Sequence, residues 1–346
     1  MYKWYALKRI LRGLVVYAIL IFVFSLLFNQ MTEKVQRSQI LEAVRAESRG
    51  LKNMTGEQIM NWRRLREKEL IEQYSLDRPL VERVLNSAFR VLTFRYGRAI
   101  TMKSNKGSQE VLDIIGEAIP RSILLFTTAF IFNASFGLIL GLKKAQKPGK
   151  RLDKVTSLFY LILTGLPTWW LAMLVIFFFV YIMPLFPSGG LNSTPMPTGF
   201  MFIIDRLYHM ALPLLTLVAL GFWGWAFTIR NIVLSTLQED FIMSARARGI
   251  PERKVLLGHT LRTSAPPIVT LIFLSFLSSM FGQIIFEGIF SWPGLGNLYW
   301  ISVQQNDIPV LMGDLAISTG IYQLGLVLLD LTYGFLDPRI KVGGKA

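Results

Sequence analysis

Apolar residues gather into six long runs along the chain, at about 11–28, 123–142, 158–183, 212–228, 268–286 and 315–335. A hydrocarbon core about 30 Å thick is spanned by roughly 20 helical residues, so each run predicts a transmembrane helix. The third is long enough to tilt, and the fourth extends as a helix past the bilayer. Between the first two runs lies a long polar segment. Over 38–74 it is rich in Glu, Arg, Leu and Gln, with Leu41 and Val44, then Ile59, Trp62 and Leu65, at helical spacing. That pattern predicts short surface helices of a small external domain. The expected fold is an all-α integral membrane bundle of six helices. It divides into an amino-terminal anchor (1–28), the external helical domain (29–117), a membrane core (118–336) and a tail (337–346). The residues after the first run, Phe28-Asn29-Gln30-Met31-Thr32-Glu33, lack a small-x-small cleavage pattern, so that run reads as a retained anchor.

Composition agrees with an apolar solvent. The 346 residues are 52% hydrophobic and only 17% charged, and there is no cysteine; soluble domains carry about 25% charged residues. Disulfides, thiolate metal sites and a cysteine nucleophile are excluded, and two histidines are too few for a histidine metal cluster. The net charge of +15 fits either a nucleic-acid binder or a membrane protein with a basic inner side. Placement decides: 19 Lys and Arg lie in the short segments on one side, and only Arg206 in those on the other. Short loops follow the positive-inside bias, which puts both termini in the cytoplasm, brings the basic loops near membrane lipid and removes the need for nucleic acid. The 29–121 segment holds 17 basic and 12 acidic residues, as a long translocated loop can.

Chemistry is sparse. Gly149-Lys150 is followed by Arg151, and Lys144 stands where a P-loop needs its first glycine, so a phosphate cradle does not form and ATP hydrolysis would reside on another chain. Asn133 and Asp330 are polar groups inside apolar runs, where burial is costly and function is the default suspicion. Their bland readings are an interhelical hydrogen bond and an interfacial ion pair, the latter with Arg339 nearby. Glu287, with Gln283 one turn earlier, closes the fifth run, at a place where contact with water is expected. Gly137 and Gly141 permit close helix packing. Pro167, followed by Trp169, breaks the backbone hydrogen bonding of the third run and bends it. Asn133, Pro167, Trp169, Gln283 and Glu287 are the candidates for a pathway or gate.

The stretch 238–262 is basic, too polar for the membrane and too patterned for an idle linker. Asp240 to Arg248 contains good helix formers and small residues, Ser244, Ala245, Arg246 and Ala247. Gly249 supplies a left-handed cap, and Pro251, after Ile250, opens a second element. The result is a helix, a sharp bend and a helix, with the bend accessible to a partner. The bland alternative is a basic loop held near anionic lipid.

Here the chain resembles a known family. Ala245-x-x-x-Gly249 and, further on, His259-x-Leu261 are similar to the cytoplasmic signature loop of ABC importer permeases. The usual Glu-Ala-Ala start is replaced by Met243-Ser244-Ala245. Ser244-Ala245-Arg246-Ala247-Arg248-Gly249, Asp240-Phe241, Phe290-Ser291-Trp292-Pro293-Gly294-Leu295-Gly296 and Leu336-Asp337-Pro338-Arg339-Ile340 resemble the dipeptide and oligopeptide branch, and the Trp-Pro-Gly-Leu-Gly form resembles the first of its two permease subunits. Leu76-Asp77-Arg78-Pro79 and Phe186-Pro187-Ser188-Gly189 are similar too. A Pro-Gly-Asp-Pro stretch expected after the first helix is replaced by Asn29-Gln30-Met31-Thr32.

The resemblance implies a type I permease, not itself an enzyme, in the inner membrane of a prokaryote. It implies a second homologous permease subunit, two ATP-binding subunits that hold ATP and Mg, a solute-binding protein outside, and a coupling role for Asp240, Ser244, Ala245, Arg246, Ala247, Arg248, Gly249, Ile250, Pro251 and His259. Peptide is the implied cargo, with oligosaccharide or nickel as alternatives. A stand-alone channel or secondary transporter would need inverted repeats or mid-membrane carboxylates, and an intramembrane enzyme would need more than His209 with Ser188 and Ser193 near it in sequence.

The charge asymmetry makes a topological prediction. In this cysteine-free chain, single cysteines at Ser193 and Gln304 should react with an impermeant reagent applied to intact cells, and cysteines at Lys147 and Arg253 should not. Labelling of Lys147→Cys from outside would overturn the assigned sidedness.

Overall fold

The structure is a computed structural model and describes residues 2–51 and 54–336. All of its regular elements are helices: α1 (Tyr2–Ser48), α2 (Gly56–Gln73), α3 (Leu80–Leu92), α4 (Val111–Gln146), α5 (Arg151–Thr164), α6 (Thr168–Ile176), α7 (Phe200–Leu237), α8 (Asp240–Ala247), α9 (Glu252–Lys254), α10 (Leu261–Ser278), α11 (Ile284–Ile289), α12 (Leu295–Gln304) and α13 (Ile308–Leu336). Two π-helical turns, Phe177–Ile182 and Val255–Thr260, prolong α6 and join α9 to α10. Five helices are long and apolar enough to cross a membrane, or six if α5 and α6 with its π turn form one span broken by 96°. The third apolar run is therefore a bent pair rather than one tilted helix. Gly165 and Pro167 sit at the break, where proline lacks the N–H that an uninterrupted helix needs. The fifth run also ends earlier than its hydropathy suggests, with α10 stopping at Ser278 and α11 starting anew at Ile284.

The chain forms two compact units. One comprises Met1–Gly116 and Tyr299–Ala346. Here α1 is 47 residues long, about 70 Å at 1.5 Å per residue, because neither Gly nor Pro interrupts it between Leu14 and Arg49. The first of the expected short surface helices is thus the continuation of the anchor. Its distal part packs Ile40 and Val44 against Leu70 and Leu76, with Trp62 and Ile71 alongside, whereas Leu41 and Leu65 are exposed. Thr55 opens α2 with a reciprocal capping box to Gln58. Helix α13 lies along α1, where Arg9 pairs with Asp330 at 3.0 Å and the Tyr17 hydroxyl donates to the Ala316 carbonyl at 3.2 Å. Asp330 is therefore an ion-pair partner of Arg9; Arg339 and the tail lie outside the described residues. Buried Asp307, just before α13, accepts from the backbone N–H groups of Ile100 and Thr101, each at 2.9 Å, and so fixes the segment that follows α3.

The other unit is Glu117–Leu298. Gly137 and Gly141 let α4 meet α7 backbone to backbone. A Cβ on Gly137 would collide with Trp225 Cβ, and one on Gly141 would stand 2.9 Å from the Ala226 carbonyl oxygen. One cluster in this unit buries Leu125, Phe126, Met210, Phe286, Phe290 and Trp292. A second gathers Ile229, Val233 and Leu237 of α7 with Ile242, Ala245, Val255 and Leu256 of the segment that follows.

Candidate functional site

The motif-bearing stretch folds as a helix, a bend and a helix. Only Gln238 and Glu239 separate α7 from α8. At the end of α8 the N–H of Gly249 donates to the Arg246 carbonyl at 2.9 Å and that of Ile250 to the Ala245 carbonyl at 3.3 Å. Gly249 takes φ +76°, the left-handed conformation its place in the sequence predicts. Pro251 then precedes α9, and Arg246 closes the bend through an ion pair with Glu252 at 2.7 Å.

Ile242 and Ala245 are buried against α7 and the Val255–Thr260 turn, while Phe241, Met243, Ser244, Ala247 and Arg248 face outward. Ala245 thus seats α8 on its own bundle, and Ser244 and Ala247 are the small residues presented outward. Arg248, Arg253, Lys254 and His259, together with Gly249 and Pro251, line an open concavity of about 940 Å³. Such a surface offers positive charge and little steric bulk to an acidic partner.

The gate candidates separate. Asn133 donates from Nδ2 to the Leu217 carbonyl at 3.3 Å and packs against Gly221, whose Cβ would stand 2.5 Å from that nitrogen; it is an interhelical tie between α4 and α7. Pro167 heads α6, and Trp169 is exposed. Gln283 is exposed and precedes α11.

Glu287, expected to meet water, is fully buried. The Ser122 hydroxyl donates to its Oε1 at 2.6 Å, and the Asn297 N–H to its Oε2 at 2.9 Å. The Gly296 N–H adds a third bond. Ser122 in turn accepts from the Leu295 N–H at 2.7 Å. Beside this node the Trp292 indole donates to the Arg121 carbonyl at 3.1 Å, and the Arg121 guanidinium to the Pro293 carbonyl at 3.3 Å. A Cβ on Gly282 or Gly294 would run into the carboxylate. The Trp-Pro-Gly-Leu-Gly stretch is thus wrapped around one buried acid and tied to α4. Ser122 and Arg121 carried no motif signal, and only their three-dimensional partners reveal them.

Residues 116–342 match the family described as the binding-protein-dependent transport system inner membrane component. The chain belongs to this family. Its relatives include the oligopeptide transport system permease protein AppB of Bacillus subtilis, 30% identical over 274 residues that cover 79% of this chain and 84% of that protein. The dipeptide transport system permease proteins DppB of Bacillus subtilis and Escherichia coli K12 are 30% and 31% identical, covering 81% and 80% of this chain and 85% of each relative. This permease has the type I ABC importer fold and sits in the dipeptide and oligopeptide branch. Its family is a transport component rather than an enzyme, and it is a multi-pass inner membrane protein.

Burial pushes the Glu287 carboxyl up to about 7, against the pull of its three hydrogen bonds. It lies between the candidate spans, after Ser278 and before Ile308. The folded protein therefore holds a proton here that the unfolded chain releases nearer the ordinary carboxylate range. This stabilising contribution is complete below that range and is lost as pH rises through about 7. The melting temperature of the purified permease should fall across pH 5–8, and Glu287→Gln should flatten that part of the profile. An unchanged pH slope in Glu287→Gln would contradict the assignment.

Proposed function

We propose that this permease forms half of the translocation pathway of an ATP-driven importer of peptides. A second homologous permease supplies the other half, two ATP-binding subunits holding ATP and Mg bind the basic concavity from the cytoplasm, and a solute-binding protein delivers cargo from outside. Both termini are cytoplasmic, and the 29–117 segment is external. The observation that carries the reading is the α8–Gly249–α9 bend. It exposes small and basic side chains on one face while its other face is packed into the bundle through Ile242 and Ala245. A force on the outer face is therefore delivered to α7 rather than absorbed by a loose loop. The names of the relatives, oligopeptide and dipeptide permeases, favour peptide over oligosaccharide or nickel.

In the unit that contains α1–α3, a groove of about 690 Å³ is lined by Arg90, Arg95 and Arg98, the last of which pairs with Glu110 at 2.9 Å. Charge of that sign speeds the encounter with an acidic docking patch, as expected of the surface that meets the solute-binding protein.

The test acts on the bend. A Cβ on Gly249 meets nothing within 4 Å, so substitution there strains only the backbone, by roughly 1–2 kcal/mol in the left-handed region. In the reconstituted complex Gly249→Val should cut peptide uptake about tenfold, the factor that 1.4 kcal/mol represents, and weaken stimulation of ATP hydrolysis, at normal expression. Wild-type coupled transport by Gly249→Val would remove the loop from the coupling path.

A further inference from the structure

One buried carboxylate in the 117–298 unit is shared between two cations from different helices. Asp153, in the first turn of α5, accepts from Arg230 Nη2 of α7 at 2.8 Å and from the Gly149 N–H at 3.0 Å. Its other oxygen accepts from the Ser157 hydroxyl at 3.4 Å and stands 3.9 Å from Lys144 Nζ of α4. The Lys144 side chain is entirely buried, and its ammonium makes no hydrogen bond to a protein group among the described residues. It lies 5.7 Å over the Phe227 ring, which stacks on Tyr160 of α5. The sequence shows Lys144 only as one of the basic residues that orient the protein, and neither Asp153 nor Arg230 as part of a site.

The arrangement is asymmetric in a way that a static ion cluster does not need. Arg230 neutralises Asp153, and the Gly149 N–H and Ser157 hydroxyl complete its hydrogen bonding, so Lys144 is a surplus buried cation, and burying a charge without a hydrogen-bond partner is costly. Lys144 becomes useful when Arg230 leaves. A shift of about 1 Å brings its ammonium into charge-assisted hydrogen-bond range of Asp153. The covalent layout permits this exchange. Lys144 and Asp153 belong to the same tight α4–α5 turn, closed by Gly149 at φ +71°. Arg230 instead stands about two turns before α7 runs into α8.

We propose that Asp153 is a positioning residue for transport that passes from Arg230 to Lys144 when the coupling loop draws α7 away from the α4–α5 turn. The carboxylate then has a cationic donor in both arrangements, and the contact has two discrete states instead of one state and a broken one. Two-state contacts of this kind are what a remote ATPase can bias. The inference rests on the permease reading and adds to it the place where loop motion is converted into a choice between two helix packings.

A static cluster and a switch differ in what Lys144→Met does. In a static cluster, removing the surplus cation is neutral or stabilising and transport is unchanged. In a switch, Lys144→Met leaves the Arg230–Asp153 pair intact and penalises only the second state. The expected results in the reconstituted complex are a melting temperature at or above wild type, tripeptide uptake lowered about tenfold, more ATP hydrolysed per peptide, and recovery with Lys144→Arg.

A second readout starts with the cluster unchanged. The chain has no cysteine, so spin labels attached only at Lys147→Cys and Ser235→Cys report the spacing of the α4–α5 turn from α7. Two distances should exchange between the nucleotide-free and ATP-trapped complexes, and Lys144→Met should deplete the second. Wild-type uptake and stoichiometry in Lys144→Met, or one label distance in both nucleotide states, overturns the switch while leaving the permease reading intact. A wild-type complex whose ATP hydrolysis ignores the loaded binding protein overturns both.

Discussion

At Gly137 and Gly141 the backbone of α4 lies against α7 so closely that a Cβ at either position has no room. Within lipid there is no hydrophobic force between helices, so small residues and packing supply the association. The contact is extended at one end by the Asn133 tie to Leu217, and beyond Gly141 α7 meets α5 through the Arg230–Asp153 pair. Helix α7 is thereby held along much of its length, and because α8 follows after two residues, the motif-bearing loop is an outgrowth of a braced helix. A flexible attachment would let a docking partner move the loop alone. The packing of Ile242 and Ala245 against Ile229, Val233 and Leu237 prevents that.

The two buried carboxylates of the 117–298 unit do different work. Glu287 has hydrogen-bond donors but no ion pair among the described residues; it gathers backbone N–H groups and thereby holds the Trp292–Gly296 stretch to α4 at Ser122. Gly282 and Gly294 are small because the carboxylate occupies the space a side chain would need. Asp153 has cations on two sides and belongs to the end of the unit that joins the loop. One acid fastens and the other has two possible partners.

The sequence exposed these features unevenly. The long apolar runs were legible because bilayer thickness sets their length, and Gly249 because a glycine between a helical pattern and a proline has few other uses. The bend at Pro167 was legible in kind, though not in its size of 96°, since proline removes one hydrogen bond whereas neighbouring packing sets the angle. The length of α1 is not legible, because its composition turns polar after Phe28 while its helical hydrogen bonding does not stop. From sequence Glu287 reads as meeting water, because its neighbours mark the end of an apolar run. Its burial depends on Ser122 and Asn297, which only the fold brings to it. Lys144 was legible as a charge, and its pairing with Asp153 and Arg230 was not.

On the proposed reading, ATP-binding subunits act on this chain at the outward face of α8. Site-directed cross-linking in native membranes tests it most directly, with single cysteines at Ala247 on the exposed face and at Ala245 on the buried face of the same helix. Ala247→Cys should cross-link to an ATP-binding subunit with a yield that changes when ATP is trapped, and Ala245→Cys should not cross-link. Failure of Ala247→Cys to capture that subunit in any nucleotide state, in membranes that still transport, would contradict it.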